Sequence, residues 1–221
     1  MDTATPERKA NSITRAMPPK IALTGGIATG KSTVSKMLQA KGAYIIDADK
    51  IAREIVRPGT QCWKKLKEVL PQDYFDTAGN IKRAELRKAI VQNPELRSII
   101  NTITHPEIIR KMESQWTEQI TKNPWQITIF DIPLLFESRL HDRFDLVILV
   151  YAPPEIQVQR LIHRDGLNHE EAEKTLTMQM PIEKKKQLAS LIIDNSSSIE
   201  NLNQHVEKLW TQLKKLWYSN C

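Results

Sequence analysis

The chain has 221 residues, 40% hydrophobic and 26% charged, with a formal net charge of +6. That length carries one α/β domain with a sizeable core, or such a core with inserted helical lobes. No apolar run approaches the roughly 20 residues that span a bilayer, and residues 1–20 lack the apolar stretch of a secretory signal, which argues against membrane and secreted classes.

Residues 1–19 mix Arg8, Lys9 and Arg15 with Asp2 and Glu7 and read as a disordered tail, a composition also compatible with a transit peptide. Met17, just before the first strand, is compatible with an alternative start. Ile21-Ala22-Leu23 reads as a buried strand running into a glycine loop. Residues 31–41 carry Val34, Met37 and Leu38 at helical spacing, and Gly42 stops that helix. A second short strand over 43–46 ends at Asp47-Ala48-Asp49, so the opening is a βαβ unit.

From 50 to 123 no strand is convincing. Helices are expected over 83–92, 95–104 and 107–122, with breaks at Pro58-Gly59, Pro71, 76–80, Pro94 and Pro106. Strands return at 126–130, ending in Asp131, and at 146–150, a fully apolar run suited to a central parallel strand. Helices follow over 155–164, 170–180 and 183–189, then a short strand over 191–193 before Asp194-Asn195. The last helix, 199–218, sets Leu202, Val206, Leu209, Leu213 and Leu216 on one face and is expected to dock.

The two cysteines, Cys62 and Cys221, have no neighbouring cysteine or ligand spacing, which predicts free thiols in a reducing compartment, the cytoplasm. The five histidines form no paired ligand motif, so no zinc site is expected. Basic clusters at Lys64, Lys65 and Lys67, at Lys184–Lys186, and at Arg160 with Arg164 are scattered. Scatter suits a small polyphosphate in a cleft better than a DNA track, although each cluster alone reads as a solvated helix face.

Gly25-Gly26-Ile27-Ala28-Thr29-Gly30-Lys31-Ser32 matches the phosphate-loop pattern GxxxxGK[ST] between a strand and a helix. Glycines let several N–H groups converge on one phosphate, and the following helix aims its positive end at the same point. In such loops the lysine, here Lys31, reaches the β- and γ-phosphates and the hydroxyl of Ser32 ligates magnesium, with Thr33 completing the nucleotide site. Asp131 stands at a strand's carboxyl end, where a magnesium-shell carboxylate belongs, or is simply an exposed strand-end aspartate. Asp47 and Asp49 are expected on the loop after the second strand, one able to accept an acceptor hydroxyl's proton and one able to cap the helix beginning near Lys50. Arg160 and Arg164 share a helix face and either neutralise a transferring phosphoryl group or pair with Glu155 or Asp165.

In order, TGGIATGKS, DADKIAREIV with Pro58-Gly59, THPEI, DIPLLFE, QVQRLIHRDGL, Gln179 and IIDNSS resemble the dephospho-coenzyme A kinase family from about Ile21 to Asn195. The resemblance implies an α/β phosphate-loop kinase fold: a five-stranded parallel sheet flanked by helices, a helical acceptor insertion and a lid. The implied division is a nucleotide-binding core over 20–49, 124–153 and 189–221, an acceptor domain over 50–123 and a lid over 154–188. The implied reaction is phosphorylation by ATP, with Mg2+, of the ribose 3′-hydroxyl of dephospho-coenzyme A, the last step of coenzyme A synthesis. By the same resemblance Asp49 is the base, Arg160 and Arg164 are the lid arginines, Asn195 lies near the adenine, and His105 and Leu134 belong with the acceptor site alongside Asp47, Asp49 and Asp131. The implied partner is the small-molecule substrate, with no nucleic acid or membrane; the oligomeric state stays open.

The family's loop commonly reads GGIGSGKS, and Ala28-Thr29 departs from it; alanine fits there without strain if its φ is negative. Two other classes remain open. One is a kinase of the same fold acting on a nucleotide or sugar. The other is a phosphate-loop switch or nucleic-acid-dependent ATPase, against which stands the lack of a guanine-reading NKxD motif.

Overall fold

A computed structural model describes residues 17–219; the expectations for residues 1–16 and Cys221 lie outside the described residues. Strand β1, Ile21–Gly25, is buried at every position. It pairs in parallel with β3, Thr128–Asp131, on one side and β4, Leu146–Tyr151, on the other. β2, Tyr44–Asp47, adds to β3, and β5, Leu191–Asp194, adds to β4, giving the parallel order β2-β3-β1-β4-β5. Leaving β1, connections wind both ways, so the crevice above its carboxyl end is the place where such a sheet binds ligands.

The two sheet faces bury different partners. Helix α1, Lys31–Ala40, and the terminal helix α9, Ile199–Ser219, cover one face through Val34, Leu38, Leu202, Val206, Leu209, Leu213 and Trp217. The apolar face of α9 thus ends on Trp217, whose indole N–H bonds the Pro124 carbonyl, while the expected Leu216 is 38% exposed. Gly42 (φ +103) closes α1 as expected, in a conformation that only glycine takes without strain.

The other face packs on helices α2, Ala48–Glu54, α3, Gln61–Val69, α4, Arg83–Gln92, and α5, Pro94–Lys122, all lying between β2 and β3. The two helices expected on either side of Pro106 are one 29-residue helix. Proline there withholds one N–H from the helical ladder. The helix nevertheless continues, because its later turns bury Met112, Trp116 and Ile120 against the same core. Lys20 anchors the entering chain, with its ammonium 2.6 Å from Glu113 and over the Trp116 ring. Pro18 and Pro19, assigned above to the tail, are buried.

After β4 come α6, Pro154–Asp165, α7, His169–Thr177, and α8, Ile182–Leu188. α6 and α7 share a small apolar cluster of Val158, Leu161 and Ala172, on which Ile27 and Ala28 of the phosphate loop rest. No helix among the described residues is long and apolar enough to cross a membrane.

Candidate active site

The loop from Gly25 to Ser32 joins β1 to α1 at the sheet's switch point. Thr29 folds it back: its hydroxyl and its N–H both bond the Gly26 carbonyl, at 2.9 and 3.4 Å. Gly30 is the N-cap of α1 at φ +87, and a Cβ there would stand 2.2 Å from Asn195 Nδ2. Glycine is therefore required at this position for both conformation and space. Ala28 also has a positive φ, +57, so the condition under which alanine fits this loop without strain is not met. A non-glycine residue in that region bears a Cβ–carbonyl clash of about 1–2 kcal/mol.

Lys31 reaches across to the carboxylate of Asp131 at the end of β3. Asp131 stands in register with Asp47 on the neighbouring strand, so three charged groups meet at adjoining strand ends. The helix after β2 starts earlier than expected, at Ala48, so Asp49 lies in its first turn rather than on a loop. Asp47 is the residue that caps it, accepting the Lys50 N–H at 2.9 Å. This leaves the Asp49 carboxyl for other work. Burial raises its pKa above the ordinary aspartate range; Lys31 and Arg53 oppose that shift, and the negative charges of Asp47 and Asp131 reinforce it.

The cleft above the loop holds about 900 Å3 and is lined by the phosphate loop, Ser32, Thr33, Asp49, Arg160, Arg164, Gln179 and Asn195. Arg160 donates to the carbonyls of Ala28, Thr29 and Asn195, at 3.3, 3.4 and 2.7 Å. It thus binds the back of the loop as well as lining the cleft. Arg164 makes a two-pronged pair with Asp165, the pairing weighed above as its surface alternative. Asn195 is buried and donates to the Thr29 carbonyl at 2.8 Å. His105 lies on α5, and burial followed by the nearby charge of Arg97 lowers its pKa. Neither His105 nor the exposed Leu134 lines this cleft.

Several contributors are residues to which sequence reasoning assigned no role in the site. Gln179 accepts the Ile27 N–H at 3.1 Å. Lys185, in a lysine run that reads as solvated, is wholly buried, 2.7 Å from Glu137 and 3.3 Å from the Gly25 carbonyl. Glu137 also accepts the Met180 N–H at 3.0 Å. Gln179 and Glu137 sit inside the recognised motif order; Lys185 lies three residues after Ile182, on the inward face of α8, which is the one signal that could have marked it.

For a magnesium ion accompanying the nucleotide, the Ser32 hydroxyl and the Asp131 carboxylate are hard oxygen donors of a suitable kind. Among the described residues no group of three or more His, Cys, Asp or Glu is placed to hold a metal alone. Magnesium commonly rests on one or two protein oxygens with phosphates and water, so the donor set fits.

Comparison with known proteins agrees with this geometry. Residues 20–201 match the family model described as dephospho-CoA kinase. A dephospho-CoA kinase of Carboxydothermus hydrogenoformans is 41% identical over 188 residues, covering 85% of this chain and 91% of that one. A dephospho-CoA kinase domain-containing protein of Danio rerio is 40% identical, covering 87% and 84%. Among solved structures, dephospho-CoA kinase from Campylobacter jejuni superposes with a TM-score of 0.67 at 30% identity, covering 89% and 97%. The protein TT1252 from Thermus thermophilus gives 0.75 at 29% identity, covering 89% and 98%.

Proposed function

The chain belongs to the dephospho-CoA kinase family and is a kinase of dephospho-coenzyme A, and we propose that Asp49 is the base that activates the acceptor's ribose 3′-hydroxyl. The observation that carries this reading is the placement of the Asp49 carboxyl in the cleft of the phosphate loop, with its helix capped by Asp47 instead. ATP lies with its phosphates on the amides of the loop and its adenine toward Asn195. Lys31 would turn from Asp131 to the β- and γ-phosphates, and Ser32 and Asp131 are the residues that would hold a magnesium ion. The metal, when bound, neutralises charge on the β- and γ-oxygens.

Asp49 accepts the hydroxyl proton as the 3′-oxygen bonds to the γ-phosphorus and the bridging oxygen departs on ADP. Arg160 and Arg164 offset the charge developing on the transferred group, and closure of the α6–α7 lid over the cleft excludes water that would otherwise hydrolyse ATP. His105, from the helical lobe, and Leu134, on the segment after β3, contact the acceptor. The division into core (20–49, 124–153, 189–221), acceptor lobe (50–123) and lid (154–188) follows from these roles. The free thiol of Cys62 suits a reducing compartment, and we place the enzyme in the cytoplasm.

An ADP-release assay with dephospho-coenzyme A, AMP and thymidylate side by side tests the reading. Turnover with dephospho-coenzyme A alone is expected; turnover only with the two nucleotides overturns it.

A further inference from the structure

Three arginines of the helical lobe have no task in the reaction as described. Arg53 follows Asp49 by one turn on α2 and shares its face. Arg83 opens α4, and Arg87 follows it by one turn. α2 and α4 contribute Ile51 and Leu86 to the same apolar cluster, and all three arginines are exposed. The crowding is close enough that Arg53 and Arg87 act on Arg83 as like charges, adding to burial in lowering its pKa.

Among the described residues none of the three forms an ion pair or donates a side-chain hydrogen bond. The nearest acidic residue of that turn, Glu85, faces Lys82 at 3.9 Å. Lys82 gives α4 no side-chain cap, so the first amides of this helix also remain available to an anion. Arg53 has only the Asp49 carboxylate near it as a counter-charge, and Arg83 and Arg87 have no ion-pair partner among the described residues, so the group carries a net positive charge that suits an anionic ligand. Guanidinium groups in such an array match the paired oxygens of a phosphate or diphosphate.

Resting on the reading of Asp49 as the base, we propose that Arg53, Arg83 and Arg87 clamp the 5′-diphosphate of the acceptor. The spacing supports it. One turn of helix carries Arg53 about 6 Å along the axis from Asp49. A ribose separates its 3′-hydroxyl from its 5′-phosphate by a comparable span. A hydroxyl on Asp49 therefore sets the first phosphate beside Arg53 and the second toward α4. The clamp makes the diphosphate a determinant of acceptor choice, because a nucleoside without it leaves the three cations unneutralised.

The test uses Arg83→Gln and Arg87→Gln, singly and together, since neither residue is among the charges acting on Asp49. Each substitution is expected to raise KM for dephospho-coenzyme A about tenfold, the scale of one charge-assisted hydrogen bond, with KM for ATP moving less than twofold. Arg87→Lys should regain part of the loss, and added salt should raise the acceptor's KM less in the double variant than in the parent. Unchanged acceptor KM in the double variant, or an equal rise for ATP, overturns the clamp. Failure of the parent protein to use dephospho-coenzyme A at all would instead overturn the reading of its function.

Discussion

Lys185 Nζ lies 2.7 Å from Glu137 Oε1 while its side chain is fully buried. The same carboxylate oxygen accepts the Met180 N–H, and the lysine also faces the Gly25 carbonyl at the start of the phosphate loop. Glu137 thus fastens both ends of the segment that returns from the lid, and Lys185 passes that fixation to the loop. The other oxygen, Oε2, is buried without a partner, so the pair is already incompletely satisfied. Lys185→Met should remove about 3–5 kcal/mol of stability, because it strands a buried carboxylate. Adding Glu137→Gln should return much of it. Urea denaturation of the single and double variants measures both, and a single variant as stable as the parent would refute the coupling.

Ala28 offers a gain instead of a loss. Its φ of +57 carries a steric penalty that glycine lacks, although glycine also enlarges the unfolded ensemble. The first effect is the larger at a left-handed position, so Ala28→Gly should stabilise the protein by roughly 0.5–1 kcal/mol. A thermal melt showing a lower midpoint would mean that the loop relaxes around alanine.

The phosphate loop was legible because its chemistry lies in consecutive residues: spacing alone places glycines, Lys31 and Ser32 between a strand and a helix. The strand-end carboxylates were legible for a similar reason, since a parallel sheet puts Asp47 and Asp131 at one edge. What stayed hidden depended on partners remote in the chain. Pro106 looks like a helix end until the burial of Met112 and Trp116 is known. Lys185 looks solvated until Glu137 arrives beneath it. The sign of φ at Ala28 depends on how Thr29 closes the loop onto Gly26, which no residue pattern states. Asp49, expected on a loop, lies in a helix because the capping by Asp47 moves the helix start toward the strand.

Arg160 bonds three backbone carbonyls, two from the phosphate loop and one from Asn195. Lysine keeps the charge but lacks the planar fork that spans them. Arg160→Lys should therefore raise KM for ATP about tenfold and lower kcat as well, because both loop geometry and charge placement suffer. Steady-state kinetics with ATP varied at saturating acceptor give the answer. A variant with parental KM for ATP would show that the backbone contacts do not shape the nucleotide site.

Asp49 links activity to pH with a defined sign. Its pKa is raised above the ordinary aspartate value, chiefly by burial, and in its proposed role as the base it acts only when ionised. The acid limb of kcat/KM should accordingly lie above the ordinary aspartate value, with activity lost as pH falls through the raised pKa. Stability runs the opposite way. A raised folded-state pKa gives a contribution that is full below the unfolded value and lost as pH rises through the folded one. At neutral pH Asp49 is therefore a charged group retained against the preference of its site, and Asp49→Asn removes the charge at nearly constant shape. That variant should lose roughly 10²–10⁴ in turnover, keep its affinity for ATP, and melt above the parent at pH 7. The melting difference should disappear in acid below the ordinary value, where the parent's carboxyl is also neutral. Melts at both pH values, alongside turnover, separate the two roles. Near-parental turnover would remove Asp49 as the base, and a lower melting point at pH 7 would mean that Lys31 and Arg53 hold the charge more strongly than burial opposes it.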